Sequence, residues 1–385
     1  MTATETALNG KVHDLLLDQI KRGTQLGTQV CAYKDGEMIV HTWAGEVGPR
    51  DPRPVQADTL FSSFSTTKGP AALALHILAD RGIIDYQAPV ARYWPEFAAN
   101  GKGSVTVAQA MSHQAGLHAA PPTDVALDWD RALDFIATGV PAYEPGTSTG
   151  YHALTFGWVV GGIVEKATGR HFKDVIQEEI ARPLDIEGEM YIGIPDGLDE
   201  RLARLEGAAR PTSEQIAASP TANLPQDHDH YKAIPTSFDL NFNKMEVRKA
   251  CIPSANGHFT AHALAKTYAA LANNGEIGGT RIVSTERVRL MSTIQVDTPD
   301  RVTLTPIRKS MGFFNGGKTM GAHGATGPRE TAFGHAGGGG SIAFADPDVN
   351  LSVAVTINKL MSGLQAEGPA FEICELIRNE LGVNG

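Results

Sequence analysis

Apolar residues at helical spacing open the chain. Val12, Leu15, Leu16 and Ile20 recur every three or four positions, so one face of a helix over residues 12–21 would be apolar. Other segments with this spacing run up to a glycine, and a glycine just past the last turn commonly ends a helix. On this basis we also predict helices over residues 65–81, 154–168, 261–273 and 368–381.

Short β-branched and aromatic runs on either side of a turn predict two hairpins. Residues 27–43 are divided by Asp35-Gly36, a dipeptide that suits the tight turn of a two-residue hairpin loop. Residues 341–357 are divided by Asp346-Pro347-Asp348, which also favours a turn. The chain therefore has predicted strands near both of its ends.

The middle of the chain has a different character. Residues 85–250 are interrupted by many prolines and glycines, which indicates helices and long loops. The strands near the two ends must meet to form one antiparallel sheet, flanked by the N- and C-terminal helices. We expect an α+β fold in which residues 1–70 and 251–385 form a sheet domain and residues 71–250 form an inserted, mostly helical domain. The cleft between two such lobes is the natural place for a site.

Charge and composition exclude several classes of partner. The net charge is −10, with lysines and arginines scattered along the chain, which argues against nucleic acid or an anionic membrane as a partner. No apolar run approaches the ~20 residues of a membrane span, and the first residues lack the basic and apolar regions of a signal peptide. We expect a soluble, cytoplasmic protein. Cys31, Cys251 and Cys374 are far apart, so they predict buried thiols and no disulfide framework or zinc site.

Ser65-Thr66-Thr67-Lys68 is the strongest candidate for chemistry. It stands where a β-rich segment gives way to a predicted helix, and residues three apart on a helix share one face. A serine hydroxyl becomes a good nucleophile when a neighbouring base takes its proton. A lysine can be that base only if its pKa is lowered by burial or nearby charge. The tetrad alone is a common pattern, so its interpretation depends on partners elsewhere.

Two later segments offer such partners. Tyr151 follows a turn-rich loop and begins a predicted helix, and a phenol beside a lysine can act as a general acid or base. The alternative for Tyr151 is a buried structural residue. His335-Ala336-Gly337 leads through further glycines into a predicted strand, where an exposed N–H could help to bind an oxyanion. The alternative there is a flexible glycine turn.

Four other patterns favour structural roles over chemistry. Ser148 lies in a Gly-x-Ser-x-Gly pattern, but no predicted strand precedes it as a nucleophile elbow requires. Residues 312–319 fit a phosphate-loop spacing, but no helix is predicted after them. The histidines and aspartates of residues 227–230 are more typical of a solvated loop than of a metal site. His113 is expected to fix its loop by hydrogen bonding.

The three ordered motifs resemble those of the serine β-lactamase and penicillin-binding-protein superfamily. Within it the chain is most similar to class C β-lactamases and to the family VIII carboxylesterases, with supporting blocks at residues 78–82, 111–117 and 256–261. The resemblance implies the β-lactamase/transpeptidase-like fold. Two motifs depart from the β-lactamase pattern: Tyr151-His152-Ala153 stands in place of Tyr-x-Asn, and His335-Ala336-Gly337 in place of Lys-Thr-Gly. These departures favour an esterase.

The resemblance also implies roles for individual residues. Ser65 would attack an ester carbonyl, Lys68 and Tyr151 would move protons, and the backbone N–H groups of Ser65 and Gly338 would form the oxyanion hole. No metal or organic cofactor is implied, and the partner would be a small-molecule ester. The residues expected to bind substrate are His335, Ala336, Gly337, His152 and Asn256.

Other activities remain open at the level of sequence. An acyl-enzyme could pass its acyl group to an alcohol instead of water, or the same site could open β-lactams or D-amino peptides. A non-catalytic binding protein of this fold is a further alternative, which the complete set of Ser65, Lys68 and Tyr151 disfavours. Whether the protein is a monomer or a homo-oligomer is undetermined by the sequence.

Overall fold

The β-strands of the protein form one large sheet and two small ones. The computed structural model describes residues 3–207, 214, 221, 223–235, 240–317, 324–361 and 368–384. Within these residues the strands are β1 (Gly27–Lys34), β2 (Glu37–Gly48), β3 (Asp51–Pro54), β4 (Phe61–Ser62), β5 (Met190–Ile192), β6 (Gly257–Phe259), β7 (Glu276–Ile277), β8 (Thr280–Arg281), β9 (Phe314–Asn315), β10 (Phe333–Ala336), β11 (Ile342–Asp346) and β12 (Leu351–Ile357).

The large sheet is antiparallel and joins the two ends of the chain. Its strand order is β3-β2-β1-β12-β11-β10-β9, so strands from the two ends meet at the β1–β12 pair. Val30 of β1 lies opposite Val355 of β12. The predicted first hairpin is confirmed, and its turn places Asp35 and Gly36 at φ 52° and 81°. Positive φ at both central residues gives a twist that matches the flanking strands, and Asp-Gly tolerates it.

The helices lie on both faces of this sheet and in a separate group beside it. In the described residues they are α1 (Ala3–Lys21), α2 (Lys68–Asp80), α3 (Val107–Met111), α4 (Thr123–Ala126), α5 (Trp129–Thr138), α6 (Thr155–Thr168), α7 (Phe172–Ile176), α8 (Asp229–Ala233), α9 (Met245–Lys249), α10 (Ala261–Ala272), α11 (Thr285–Ser292) and α12 (Pro369–Leu381). Each of these helices longer than ten residues corresponds to a predicted one, although α1 begins nine residues before the predicted start at residue 12. Helix α5, with ten residues, was not predicted.

The terminal helices cover one face of the sheet. Val12 and Leu16 of α1 share a core cluster with Ile373 and Ile377 of α12 and with the outer side of the sheet. Fully burying each such side chain contributes about 1.5–3 kcal/mol to stability. Helix α10 lies against β1, β11 and β12 as part of the larger core cluster on the other face, so the sheet is buried on both sides.

Helix α2 links the sheet to the helical part of the protein. Twelve of its thirteen residues are buried, and it packs mainly against α6. The small sheet β4-β6-β5 joins strands from both parts of the chain, because β5 belongs to the segment predicted to be mostly helical. The domain boundaries at residues 70 and 250 stay a prediction.

Helix ends follow the predicted chemistry. Gly169 adopts φ 70° directly after α6, and Gly82 adopts φ 74° two residues after α2. A residue in this left-handed region satisfies the last carbonyls of a helix, and glycine enters it without a steric penalty. In the part of the chain that the structure describes, none of the helices has both the length and the apolar character that a membrane span needs.

Candidate active site

The candidate nucleophile lies in a tight turn at the start of α2. Residues Phe64–Thr67 form a 3₁₀ turn that continues directly into the α-helix at Lys68. The first N–H groups of such a turn have no partner inside the helix, and they lie at the positive end of its dipole. Phe64, the residue before Ser65, has φ 47°. A bulky residue in this region is strained, and strain of this kind is found at functional sites.

Three predicted side chains meet in this turn. The Tyr151 hydroxyl donates a hydrogen bond to Ser65 Oγ at 2.9 Å. Lys68 Nζ lies 3.1 Å from the same oxygen. Both distances are within hydrogen-bond reach, as a general base and acid require. The prediction that these three residues come together is therefore matched by the geometry.

Lys68 is buried, and its described partners are neutral oxygens. Its Nζ lies 2.7 Å from the Ala153 carbonyl oxygen and 3.1 Å from that of Ser254. Among the described residues no Asp or Glu forms an ion pair with it. Burial lowers the pKa of the Lys68 ammonium well below its ordinary value of 10.5. The site therefore favours the neutral amine, which is the form that accepts a proton.

Tyr151 is held on both its backbone and its ring. Its N–H donates to Asp300 Oδ1 at 3.1 Å, and its ring stacks on His335 with centroids 6.1 Å apart. Burial raises the pKa of the Tyr151 phenol above its ordinary value, while the hydrogen bond with Ser65 acts in the opposite direction. Tyr151 is thus a protonated phenol at neutral pH, and it complements a neutral Lys68.

The glycine segment after β10 closes against the nucleophile turn. Thr66 Oγ1 donates to the Ser341 carbonyl at 3.2 Å, and the Gly337 N–H donates to the same carbonyl at 2.7 Å. A Cβ on Gly337 would lie 2.3 Å from the Ser63 carbonyl oxygen, so only glycine allows this approach. The next residue, Gly338, lines the same cavity as Ser65. An oxyanion hole between their two backbone N–H groups stays a prediction.

An apolar cavity of about 310 Å³ opens above Ser65. Two of the phenylalanines in its wall, Phe64 and Phe242, contact each other with ring centroids 4.8 Å apart. Ile234 is half exposed in the wall of the cavity. The described side chains of the wall include no lysine or arginine. Such a lining suits an uncharged substrate with an apolar group.

Two residues that were predicted to bind substrate have other partners. His152 is buried, and its Nδ1 donates to the Gly150 carbonyl at 2.6 Å while its Nε2 accepts the Leu117 N–H at 3.0 Å. Burial lowers the pKa of His152 to about 3, so it stays neutral. Asn256 is also fully buried. Its amide accepts the Ile252 N–H and donates to the Val247 carbonyl.

Neither His152 nor Asn256 lines the cavity, so the expectation of a substrate contact is corrected for both side chains. Both side chains are polar and can hydrogen-bond either to the backbone of a loop or to a ligand. Because both are buried away from the cavity, they bind the backbone. His335, Ala336 and Gly338 do line the cavity, whereas Gly337 beside them supports the turn.

His113, Ser148 and residues 312–319, which the sequence favours as structural, lie as follows. His113 Nδ1 accepts the His152 N–H at 3.1 Å, so it fixes its loop as predicted. Ser148 lies in an irregular loop with no strand before it, and it is absent from the cavity wall. Within residues 312–319 the described part contains the strand Phe314–Asn315, and Lys318 and Thr319 lie outside the described residues.

The segment at residues 227–230 is not a simple solvated loop. Asp229 begins α8, is buried, and accepts a hydrogen bond from Arg301 Nε at 2.6 Å. His228 caps the helix by accepting the His230 N–H at 3.1 Å. In the described residues no group of three or more metal-ligating side chains comes together here or elsewhere. The solvated-loop prediction is wrong for Asp229, which serves as a structural anchor.

Sequence reasoning missed two residues next to the site. Asp300 and Lys309 form an ion pair beneath Tyr151, and Asp300 binds the Tyr151 backbone. They follow no local motif, because they lie in an irregular segment far from Tyr151 along the chain. Phe64 and Phe242, which shape the cavity, were also missed, because a single aromatic residue in a sequence does not show which cavity it will line.

Comparisons with known proteins agree with this geometry. The chain is 36% identical over 349 residues to the esterase/beta-lactamase LipL of Mycobacterium tuberculosis (strain ATCC 25618 / H37Rv), which covers 88% of this chain and 78% of that protein. It resembles the crystal structure of a family VIII carboxylesterase with a TM-score of 0.86 and 33% identity over 97% of both chains. A penicillin-binding protein homologue from Caulobacter crescentus matches equally well, with a TM-score of 0.86 and 32% identity over 97% of both chains.

These similarities confirm the predicted superfamily and the α+β fold. The beta-lactamase family model, moreover, matches residues 14–371, which is most of the chain. The chain therefore belongs to the beta-lactamase family, within the superfamily of serine esterases and β-lactamase-like hydrolases.

Proposed function

We propose that the protein is a serine carboxylesterase that cleaves small, uncharged esters through an acyl-enzyme at Ser65. One observation carries this proposal: Lys68 Nζ and the Tyr151 hydroxyl both reach Ser65 Oγ at the floor of an apolar cavity. A nucleophile with two proton-transfer groups at this distance is the arrangement that acyl transfer requires. The esterase relatives among the compared proteins support the same reaction class.

The donors and acceptors around Lys68 define its role. A neutral amine has two N–H groups and one lone pair, and the carbonyls of Ala153 and Ser254 accept the two N–H groups. The lone pair then faces Ser65 Oγ, so Lys68 accepts the hydroxyl proton as Ser65 attacks the ester carbonyl. Tyr151 delivers its proton to the leaving alkoxide, and the proton that Lys68 took from Ser65 then passes to the phenolate, so both groups return to their starting forms. Water, activated by the same groups, then hydrolyses the acyl-enzyme.

The oxyanion accepts hydrogen bonds from the backbone N–H groups of Ser65 and Gly338. Negative charge on the tetrahedral intermediate is favoured there by the N-terminus of α2 as well as by two backbone donors. Losing one such donor typically costs ~3 kcal/mol of transition-state stabilisation.

The cavity favours esters over β-lactam antibiotics. A β-lactam antibiotic carries a carboxylate, and placing that charge against an apolar wall without a cation is unfavourable. Among the described residues of the wall, His335 replaces the lysine that begins the third motif of β-lactamases. We therefore expect a higher kcat/KM for short-chain esters than for cephalosporins.

A comparison of two serines tests the proposal. Chromogenic short-chain esters and a chromogenic cephalosporin are assayed with wild type, Ser65→Ala and the matched control Ser148→Ala. Ser65→Ala should lose at least about 10³-fold of the esterase kcat, because the acyl-enzyme can no longer form. Ser148→Ala should keep its activity. Full activity in Ser65→Ala, or loss of turnover in folded Ser148→Ala, rejects the assignment. Adding an alcohol acceptor to the same assay separates acyl transfer from hydrolysis.

We also propose that the protein works in the cytoplasm. The described cysteines, Cys31, Cys251 and Cys374, are buried and unpaired, as is usual in a reducing compartment. Fractionation of the source cells with an antibody against this chain tests the compartment.

A further inference from the structure

An ion pair with no exposed surface stands behind Tyr151. Lys309 Nζ lies 2.5 Å from Asp300 Oδ2, and both side chains have 0% exposure. Burying two charges removes their hydration, and their attraction compensates for this only when the geometry is good and the remaining polar atoms are satisfied. The pair therefore carries a desolvation cost beside the site. Its hydrogen bonds show which backbone segments it positions.

Asp300 binds three backbone N–H groups with its other oxygen. Oδ1 accepts from Tyr151 at 3.1 Å, and from Val302 and Thr303 at 2.8 Å each. The Lys309 charge lowers the pKa of the Asp300 carboxyl despite its burial, so the acceptor stays ionised. Hydrogen bonds to an ionised acceptor are stronger than those between neutral groups. One carboxylate thus fixes the Tyr151 backbone and the loop beside it.

Lys309 fixes the residues before Tyr151. Its Nζ donates to Thr149 Oγ1 at 2.8 Å, and the Thr149 carbonyl accepts the Arg301 N–H at 3.0 Å. The segment that carries Tyr151 is therefore tied to the Asp300–Lys309 loop at residues 149 and 151. Thr303 and Ile307 of that loop also line the cavity.

We propose that Asp300 and Lys309 are positioning residues that set the height of the Tyr151 hydroxyl above Ser65. The inference rests on the proposed function, since it concerns the proton transfer at that serine. Neither residue contacts the cavity, so neither touches substrate. The pair acts through the backbone of Tyr151, whose N–H is bound to Asp300. If that backbone moves, the phenol moves with it and loses its hydrogen bond to Ser65 Oγ.

Two double variants isolate the positioning role. Asp300→Ala/Lys309→Met removes both charges and the acceptor for the Tyr151 N–H. Asp300→Asn/Lys309→Met removes both charges but keeps the Oδ1 acceptor. With a chromogenic ester, the alanine variant should lose at least about tenfold in kcat, with a smaller change in KM, because only proton transfer is misaligned. The asparagine variant should regain most of that loss.

Equal kcat in both double variants overturns the inference, whether both match wild type or both fall alike. Arg329→Met/Asp346→Asn is the matched control, because it removes another largely buried ion pair, 3.0 Å in length, that lies outside the cavity wall. If the control loses as much kcat as the alanine variant, the effect is one of general stability and the inference is wrong.

A single substitution covers the case in which the alanine variant does not fold. Thr149→Val removes one contact of Lys309 and leaves the ion pair in place. It should lower kcat by about threefold to tenfold with little change in KM, and an unchanged kcat contradicts the positioning role. Failure of the proposed function is recognised separately: Ser65→Ala then keeps esterase activity in the same assay. Loss in Ser65→Ala together with full kcat in the pair variants rejects the positioning role alone.

Discussion

Gly337 lies so close to Ser63 that a methyl group on it would be 2.3 Å from the Ser63 carbonyl oxygen. This contact joins the strand β10 to the turn that carries the nucleophile, two residues before Ser65. We expect it to set how closely the Gly338 N–H can approach the Ser65 N–H. The spacing of the proposed oxyanion hole thus depends on the absence of one side chain.

Substituting Gly337 with alanine should reduce activity more than stability. The new Cβ must displace the backbone at Ser63, and either N–H group then moves away from the oxyanion. We expect kcat to fall by about 10² to 10³, the usual cost of losing one oxyanion donor. Steady-state kinetics with a short-chain ester and thermal unfolding of the same sample provide the measurement.

The matched control for this variant is Gly10→Ala. Gly10 lies in α1, and no atom of the described residues is within 4 Å of an added Cβ. Alanine is also the better helix former, so this variant should keep full activity and wild-type or higher stability. A Gly337→Ala protein with wild-type kcat contradicts the proposed geometry.

Lys68→Met should slow ester hydrolysis, measured as kcat, by about 10² to 10⁴ while leaving the fold intact. Removing a general base typically costs 10² to 10⁴ in rate, on the order of 3–5 kcal/mol, and methionine fills much of the same volume. Lys68→Arg is the companion variant. Its guanidinium cannot give up a proton at neutral pH, so it should be equally inactive.

The Lys68→Met variant also has a pH signature in stability. Burial lowers the pKa of folded Lys68 below the unfolded value of 10.5, so the unfolded chain binds more protons between the two. The wild type should therefore gain stability relative to Lys68→Met as pH rises from 7 towards 10. Urea unfolding of both proteins at pH 7 and 9.5 measures this, and a constant difference would falsify a neutral Lys68.

Phe242→Ala should change the chain-length preference. The Phe242 ring lies in the cavity wall, with its centroid 4.8 Å from that of Phe64, so removing it enlarges the cavity above Ser65. We expect kcat/KM for longer acyl esters to rise relative to that for the acetate ester. The rise should be about tenfold for each one or two methylene groups that the enlarged cavity accommodates. A p-nitrophenyl ester series measures the shift. Phe135→Ala is the control because Phe135 lies on α5, outside the cavity wall, and it should leave the preference unchanged.

Buried histidines should make the fold sensitive to mild acid. Burial lowers the pKa of His76, His152 and His258 to about 3, against 6.5 for the ordinary side chain. The unfolded chain therefore takes up protons between pH 6.5 and about 3 that the folded chain does not. Their stabilising effect is complete above pH 6.5 and is lost as pH falls. At pH 5 each histidine should cost about 2 kcal/mol relative to pH 7.

Urea titrations at pH 7, 6 and 5 check this expectation. The free energy of unfolding should fall over this range with a slope that gives the number of protons taken up. A flat profile between pH 7 and 5 would show that these histidines are protonated in the folded protein or reach water.

Local chemistry explains how much of the fold was predictable. Gly169 and the Asp35-Gly36 turn mark where elements end, because positive φ is a property of one or two residues. The pairing of β1 with β12 could be inferred only in outline, since register depends on side chains more than three hundred residues apart. The short strand β5 was missed because three residues carry too little periodicity.

The candidate site divides in the same way. Ser65 and Lys68 share a helical face, so their proximity follows from spacing alone. Tyr151 required the resemblance to a known superfamily, because its distance from Ser65 is a property of the folded chain. The burial of Asn256 and Asp300 could not be read from the sequence. The Asn256 amide hydrogen-bonds to the backbone, and the role of Asp300 depends on a lysine nine residues later.

The central position of the β1–β12 pair has a consequence for synthesis on the ribosome. The β1–β2 hairpin emerges early, but its inner edge stays open until β12 has been made, more than three hundred residues later. An open edge with unpaired N–H and C=O groups is a template for aggregation. The open edge of β1 in the nascent chain therefore needs protection from aggregation until β12 is synthesised. We expect the yield of folded protein in a heterologous host to depend more on chaperone supply and slower growth than on codon choice in the first fifty residues.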